Sequence, residues 1–180
     1  MKRHTFIGCF ACVLSFATLS FGQAIPTASR VGSIQAGVGG YLANPDFGQT
    51  KIKGLTFYGD YDLTQHIGVE GEIHYSVITP SDISENSYVA GPRYVVRHKK
   101  LQGYAKVLFG VGHFGFQEGV NAHPQTGSYF EYVLGGGVEY QATRKINVRL
   151  FDFEVQKWPG FPTNGLSPYV GTIGVAYVFH

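Results

Sequence analysis

Charged side chains recur along this chain at even spacing, which puts them on one face of an extended strand: Asp60 and Asp62, Glu70 and Glu72, Arg93 and Arg97, then Lys106, Glu131 and Glu139. Enclosed together they would have to interlock, because a lone buried charge is expensive. His74 shares the face of Glu72, His66 and His98 fall in turn-like segments, and His113, His123 and His180 are scattered. No two have the His-x-x-x-His spacing of a zinc set, so no metal ligand is expected. His113 or His123 with Ser128 could be drawn as base and nucleophile, but no local motif supports them. Gly110-Val111-Gly112-His113-Phe114-Gly115 matches the glycine pattern of dinucleotide sites. That pattern works only where a strand hands over to a helix whose N-terminus meets the pyrophosphate, and Gln117 to Pro124 has no helical period. These glycines, like Gly135-Gly136-Gly137, read instead as small residues on a crowded wall. No catalytic or cofactor-binding residue is assigned.

The elements that must hold these side chains begin after a leader. Met1-Lys2-Arg3-His4 is basic, Phe6 to Leu19 is mostly apolar, and Gly22-Gln23-Ala24 offers small residues for cleavage. This is the layout of a secretory signal peptide over residues 1–24, and its apolar part is too short for a spanning helix. Both cysteines, Cys9 and Cys12, lie inside it, within the apolar stretch, where a lipoprotein cysteine would follow it. Subtracting the 24 leader residues from 180 leaves 156, enough for one domain over residues 25–180. The leader takes Lys2 and Arg3 from 14 basic residues, leaving 12 against 12 acidic ones. A mature chain with no net charge is no basic nucleic-acid face, and no nucleic-acid partner is expected. A second long apolar run is missing as well, which excludes a helical membrane protein.

What the mature chain has is alternation. The clearest case sets Ile67, Val69, Ile73, Tyr75 and Val77 against Glu70, Glu72, His74 and Ser76, a period no amphipathic helix produces. Similar patterns run over Arg30 to Tyr41, Lys53 to Leu63, about Tyr88 to Arg97, Leu101 to Phe116, Ser128 to Gln141, Ile146 to Trp158, and Ser167 to the C-terminus. The seventh is ambiguous: Ile146, Val148 and Leu150 share parity with Asp152, Glu154 and Gln156, while Asn147 and Arg149 share it with Phe151, Phe153 and Val155. Either a bulge switches faces near Leu150 and Phe151, the favoured reading, or one half puts charge on the apolar side. The breaks alternate too. Those after strands two, four and six are short, and the others are longer and rich in Pro, Gly and Asn. Antiparallel neighbours put alternate connections at opposite ends, so one end carries turns and the other carries loops.

The last stretch, Ser167-Pro168-Tyr169-Val170-Gly171-Thr172-Ile173-Gly174-Val175-Ala176-Tyr177-Val178-Phe179-His180, would leave an open edge unless a first strand closed it. It resembles the closing strand of bacterial outer-membrane β-barrels, in which a terminal aromatic preceded by alternating apolar residues is the assembly signal. Val175, Tyr177 and Phe179 match that signal, although His180 follows the aromatic on which the family usually ends. The resemblance is to small eight-stranded barrels of the outer-membrane protein A and X type and runs from about Ser29 onward. It implies an all-β, eight-stranded antiparallel up-and-down transmembrane β-barrel in the cell outer membrane, with lipid and the barrel-assembly machinery as partners. It also implies a structural, adhesion or small-solute role rather than an enzyme, and no cofactor.

Alternation alone leaves open which face points inward. The charged face fits the narrow lumen of eight strands, and the other face, aliphatic in the middle with Tyr61, Tyr75, Tyr88, Tyr94, Tyr132, Tyr140 and Tyr177 near strand ends, fits lipid. Two alternatives stand beside this. One is a soluble periplasmic lipocalin-like binding barrel with the faces reversed. The other follows from the resemblance, since some small barrels modify lipid A with His and Ser or Asp at the outer rim, where His113, His123 and Ser128 would fall. Surface recognition is expected in the loops Asn44 to Gln49, Thr79 to Glu85, Gln117 to Gly127 and Pro159 to Gly165, and no cell-wall-binding domain is expected to follow the closing strand.

Overall fold

A computed structural model describes residues 31–45, 51–78, 83–116, 127–161 and 165–179. The leader, His123 and His180 lie outside the described residues. Eight strands follow one another: β1 (Ile34–Asn44), β2 (Ile52–Asp62), β3 (Ile67–Ile78), β4 (Ile83–His98), β5 (Leu101–Phe116), β6 (Gly127–Gln141), β7 (Ile146–Lys157) and β8 (Tyr169–Phe179). Each pairs antiparallel with the next, and β8 returns to β1, closing the barrel. The seam runs from Ile34 opposite Phe179 to Asn44 opposite Tyr169, so neither β1 nor β8 is left as an open edge.

Burial decides the facing. Glu70, Glu72 and Arg93 are 1–3% exposed, whereas Val69, Ile73 and Val107 are 36–42% exposed. The lipocalin-like alternative requires the reverse and is excluded. An outer wall of Leu, Val, Ile, Phe and Tyr around the whole cylinder is far beyond the apolar patch a soluble monomer exposes, but it is the natural surface of a barrel in lipid. At the turn end Tyr61, Tyr94, Tyr140 and Tyr177 face outward, and at the other end Tyr75 and Tyr169 do. The apolar wall is thus edged by amphipathic rings at both rims.

The turn end is built tightly. Between β2 and β3, Thr64 N donates to Ile67 O at 2.8 Å and Thr64 Oγ1 accepts from Ile67 N at 2.9 Å. The β4–β5 hairpin turns on Lys99 and Lys100, with Lys99 at φ 54°. At the other end the walls differ in height. β1, β2 and β8 have 11 residues, about what a tilted strand needs to cross a bilayer, whereas β4 and β5 have 16. The barrel therefore carries a raised outer wall on one side.

That wall corrects the sequence reading. The loop expected from Thr79 to Glu85 ends sooner, because Ile83 through Ala90 pair with Phe116 through Phe109 and Glu85 turns inward. Ser84-Glu85-Asn86-Ser87 has no apolar alternation to read, since this part of β4 stands above the lipid band. β1 starts at Ile34, after a turn in which Gly32 has φ 81°, rather than at Arg30, and it runs on to Asn44. Gly127 likewise belongs to β6 instead of the preceding loop.

The ambiguity of β7 is resolved by a bulge. Leu150 and Phe151 both face outward, 50% and 54% exposed, while Arg149 and Asp152 on either side are buried inside. Registers with both neighbours slip at this place, between Arg149 and Asp152 against β8 and between Val138 and Glu139 against β6.

Candidate functional site

Inward-facing side chains from all eight strands meet in layers along the lumen. Nearest the turns, Arg97 Nη2 contacts Asp62 Oδ2 at 2.5 Å, and Arg97 also donates to Gln102 Oε1 at 3.2 Å and to Gln65 O. Both charged side chains are partly exposed here, 23% and 14%, so this pair rims the lumen rather than filling it.

The next layers are dry. Arg93 Nη1 lies 2.5 Å from Asp60 Oδ2 and its Nη2 3.0 Å from Glu139 Oε2. Gln35 donates to Asp60 and, at 3.2 Å, to Glu139. Arg149 reaches Glu70 Oε1 at 3.0 Å, Glu139 Oε1 at 3.1 Å and Asp152 Oδ2 at 3.0 Å. Lys106 Nζ sits at the centre, 2.6 Å from each of Glu72, Asp152 and Glu154 and 3.1 Å from Glu70. Two tyrosines complete the packing: the Arg149 guanidinium lies 3.6 Å over the Tyr58 ring, and that of Arg93 lies 4.0 Å over Tyr104. Desolvating so many charges is offset only because each cation meets several carboxylates in good geometry.

Above these layers the chemistry changes. Glu131 accepts a hydrogen bond from Ser87 Oγ at 2.8 Å. It lies in the lumen as expected but makes no ion pair among the described residues. Over it Phe114, Trp158, Phe161 and Leu166 form an apolar cap, with Trp158 fully buried and Phe114 edge-on to Phe161 at 5.1 Å. The glycine pattern noted in the sequence belongs to this wall. A Cβ on Gly110 would meet Tyr88 O at 1.9 Å, and one on Gly112 would meet the Trp158 ring at 2.3 Å. The glycines leave room for a backbone and an indole, not for a pyrophosphate.

The nine charged residues singled out from the sequence all turn inward, seven in the interior and Asp62 with Arg97 at its rim. Arg149, Asp152 and Glu154 were missed, because the facing of β7 was open. The signal that finds them is the apolar pair Leu150-Phe151 between Arg149 and Asp152. At the outer rim His113 Nδ1 and Ser128 Oγ are 3.1 Å apart on the exposed face. No Asp or Glu among the described residues forms an ion pair with that imidazole.

A family model described as the outer membrane protein beta-barrel domain matches residues 9–179. The chain belongs to this family of outer membrane β-barrels. Solved structures agree on the fold of the family member described here. Ail, the attachment invasion locus protein of Yersinia pestis, superposes with TM-score 0.58 at 17% identity over 83% of this chain and 99% of its own. OprG, an outer membrane protein of Pseudomonas aeruginosa, gives 0.60 at 14% identity over 84% and 98%. The N-terminal β-barrel domain of OprF from the same organism gives 0.56 at 13% over 83% and 98%. Ail has also been crystallised with the heparin analogue sucrose octasulfate. Curated protein sequences gave no significant match. Family membership carries the location: this barrel resides in the outer membrane, with its apolar wall in lipid.

Proposed function

We propose that this protein is a closed, non-catalytic barrel that stabilises the outer membrane and presents its loops for recognition at the cell surface. One observation carries the reading: the lumen is crossed by the ion-paired layers of Arg93, Lys106 and Arg149, each at most 3% exposed. Residues 1–24 act as the export leader, and Val175, Tyr177 and Phe179, outward-facing on β8, serve as the segment read by the assembly machinery. The loops after β1, β3, β5 and β7 supply the surface partner's contacts, a role supported by the attachment function named for Ail.

In planar bilayers the refolded barrel gives no steady single-channel current, and a large constant conductance refutes the closed lumen. The second reading, lipid A modification, rests on the His113–Ser128 contact. It is tested by mass spectrometry of lipid A from cells expressing the protein. Unchanged acyl chains are expected, because no carboxylate among the described residues orients the imidazole as a third triad member would.

A further inference from the structure

The lumen holds more acid than base: among the described residues eight buried carboxylates face three buried cationic side chains, Arg93, Lys106 and Arg149. Among the described residues two clusters of ligand-type atoms stand in this interior. One, formed by Glu70, Glu72 and Asp152, already surrounds a cation, since Lys106 Nζ contacts all three. The other comprises Glu72, His74 and Glu154, whose ligand atoms lie within 4.8 Å of one another. His74 Nε2 is 3.5 Å from Glu72 Oε1 and 3.9 Å from Glu154 Oε2. His74 is 2% exposed, and neither ring nitrogen has a hydrogen-bond partner among the described residues. A buried imidazole facing two carboxylate oxygens with nothing bonded to it is an unfinished polar site.

We propose that Glu72, His74 and Glu154 bind a divalent first-row transition metal, such as Zn(II), inside the barrel. Imidazole with two carboxylates is a ligand set suited to such ions. Zinc bonds of about 2.0–2.1 Å place tetrahedral ligand atoms about 3.4 Å apart, close to the His74–Glu72 separation. A second shell is in place. Thr56 Oγ1 donates to Glu72 Oε1 at 3.0 Å, Gln156 Nε2 donates to Glu154 Oε2 at 3.2 Å, and Tyr41 packs edge-on against the imidazole at 4.9 Å. The other oxygens of the two carboxylates are held by Lys106, so the pair is oriented before any metal arrives. On the oxygens that would face the metal, Arg149 Nη1 also approaches, 3.5 Å from Glu72 Oε1. Two positive charges would offset part of the acid excess and tie β3 to β7 across the lumen. With His74 and both carboxylates at most 2% exposed, metal would be loaded most readily while the chain folds.

The mature protein is refolded in detergent with Zn(II), freed of loose ion by gel filtration, and its metal counted by mass spectrometry, with heat-modifiable migration as the check on folding. About one Zn(II) per chain is expected to be retained. His74→Asn, folded, should lower affinity about tenfold or more, and His113→Asn, at the outer rim, should leave it unchanged. Retention by His74→Asn equal to that of the unaltered protein overturns the site, as does no retention in either. Should His74→Asn not fold, refolding with Co(II) decides. Visible d–d absorption that is lost in Glu154→Gln supports the site, and a spectrum without it, or one that Glu154→Gln leaves intact, overturns it.

Discussion

Lys106 and Arg97 carry the same charge on neighbouring walls of one lumen, but their surroundings make them unequal. Lys106 is the shared cation of four buried carboxylates. Lys106→Met strips that cation and leaves uncompensated charge in the interior, a loss of about 3–5 kcal/mol. Arg97 pairs with Asp62 where water reaches both, so Arg97→Met should cost no more than about 1 kcal/mol. Urea unfolding in lipid vesicles measures both, with Trp158 as reporter, since it is the only tryptophan in the chain. Equal losses would show that the layered lumen does not set the energetics. The sequence names Lys106 and Arg97 as members of one network; their inequality is a matter of depth, which alternation does not encode.

A strand has one facing for its whole length unless a bulge intervenes, and β7 shows what that rule makes legible. In β3 a single parity holds from Ile67 to Val77, so its inward residues are read directly from the sequence. In β7 the parity reverses at Leu150 and Phe151, and with it went the assignment of Arg149, Asp152 and Glu154. Upper β4 was illegible for another reason: above the lipid neither face needs to be apolar, and Ser84 to Ser87 look like loop. The bulge makes a sharp prediction. Deleting Leu150 restores plain alternation, with Arg149 and Asp152 still inward, and the barrel should fold and show heat-modifiable migration in detergent gels. Deleting Phe153 instead sets Asp152 beside Glu154, forces one carboxylate towards lipid, and should abolish that migration. If both deletions behave alike, the bulge does not govern the facing of β7.

For the whole molecule, the number of strands, the direction of their faces and the asymmetry of the two ends were all readable, because lipid outside and a narrow lumen inside impose them on every strand. The cap was not. Phe114, Trp158, Phe161 and Leu166 come from β5 and from the connection before β8, and nothing in local periodicity brings them together. Two obstructions thus lie in series along the barrel, an apolar cap and the ion-paired layers beneath it, and the tighter one governs passage. In the lower layers Lys106, Arg149, Glu70 and Asp152 are at most 2% exposed and bonded to one another across the barrel, so no water column threads them. Trp158→Ala removes the largest member of the cap and leaves these contacts untouched. Its conductance in planar bilayers should therefore stay at the baseline of the unaltered protein. A steady current from this variant alone would place the seal in the cap and make the charged layers a lining that water already permeates.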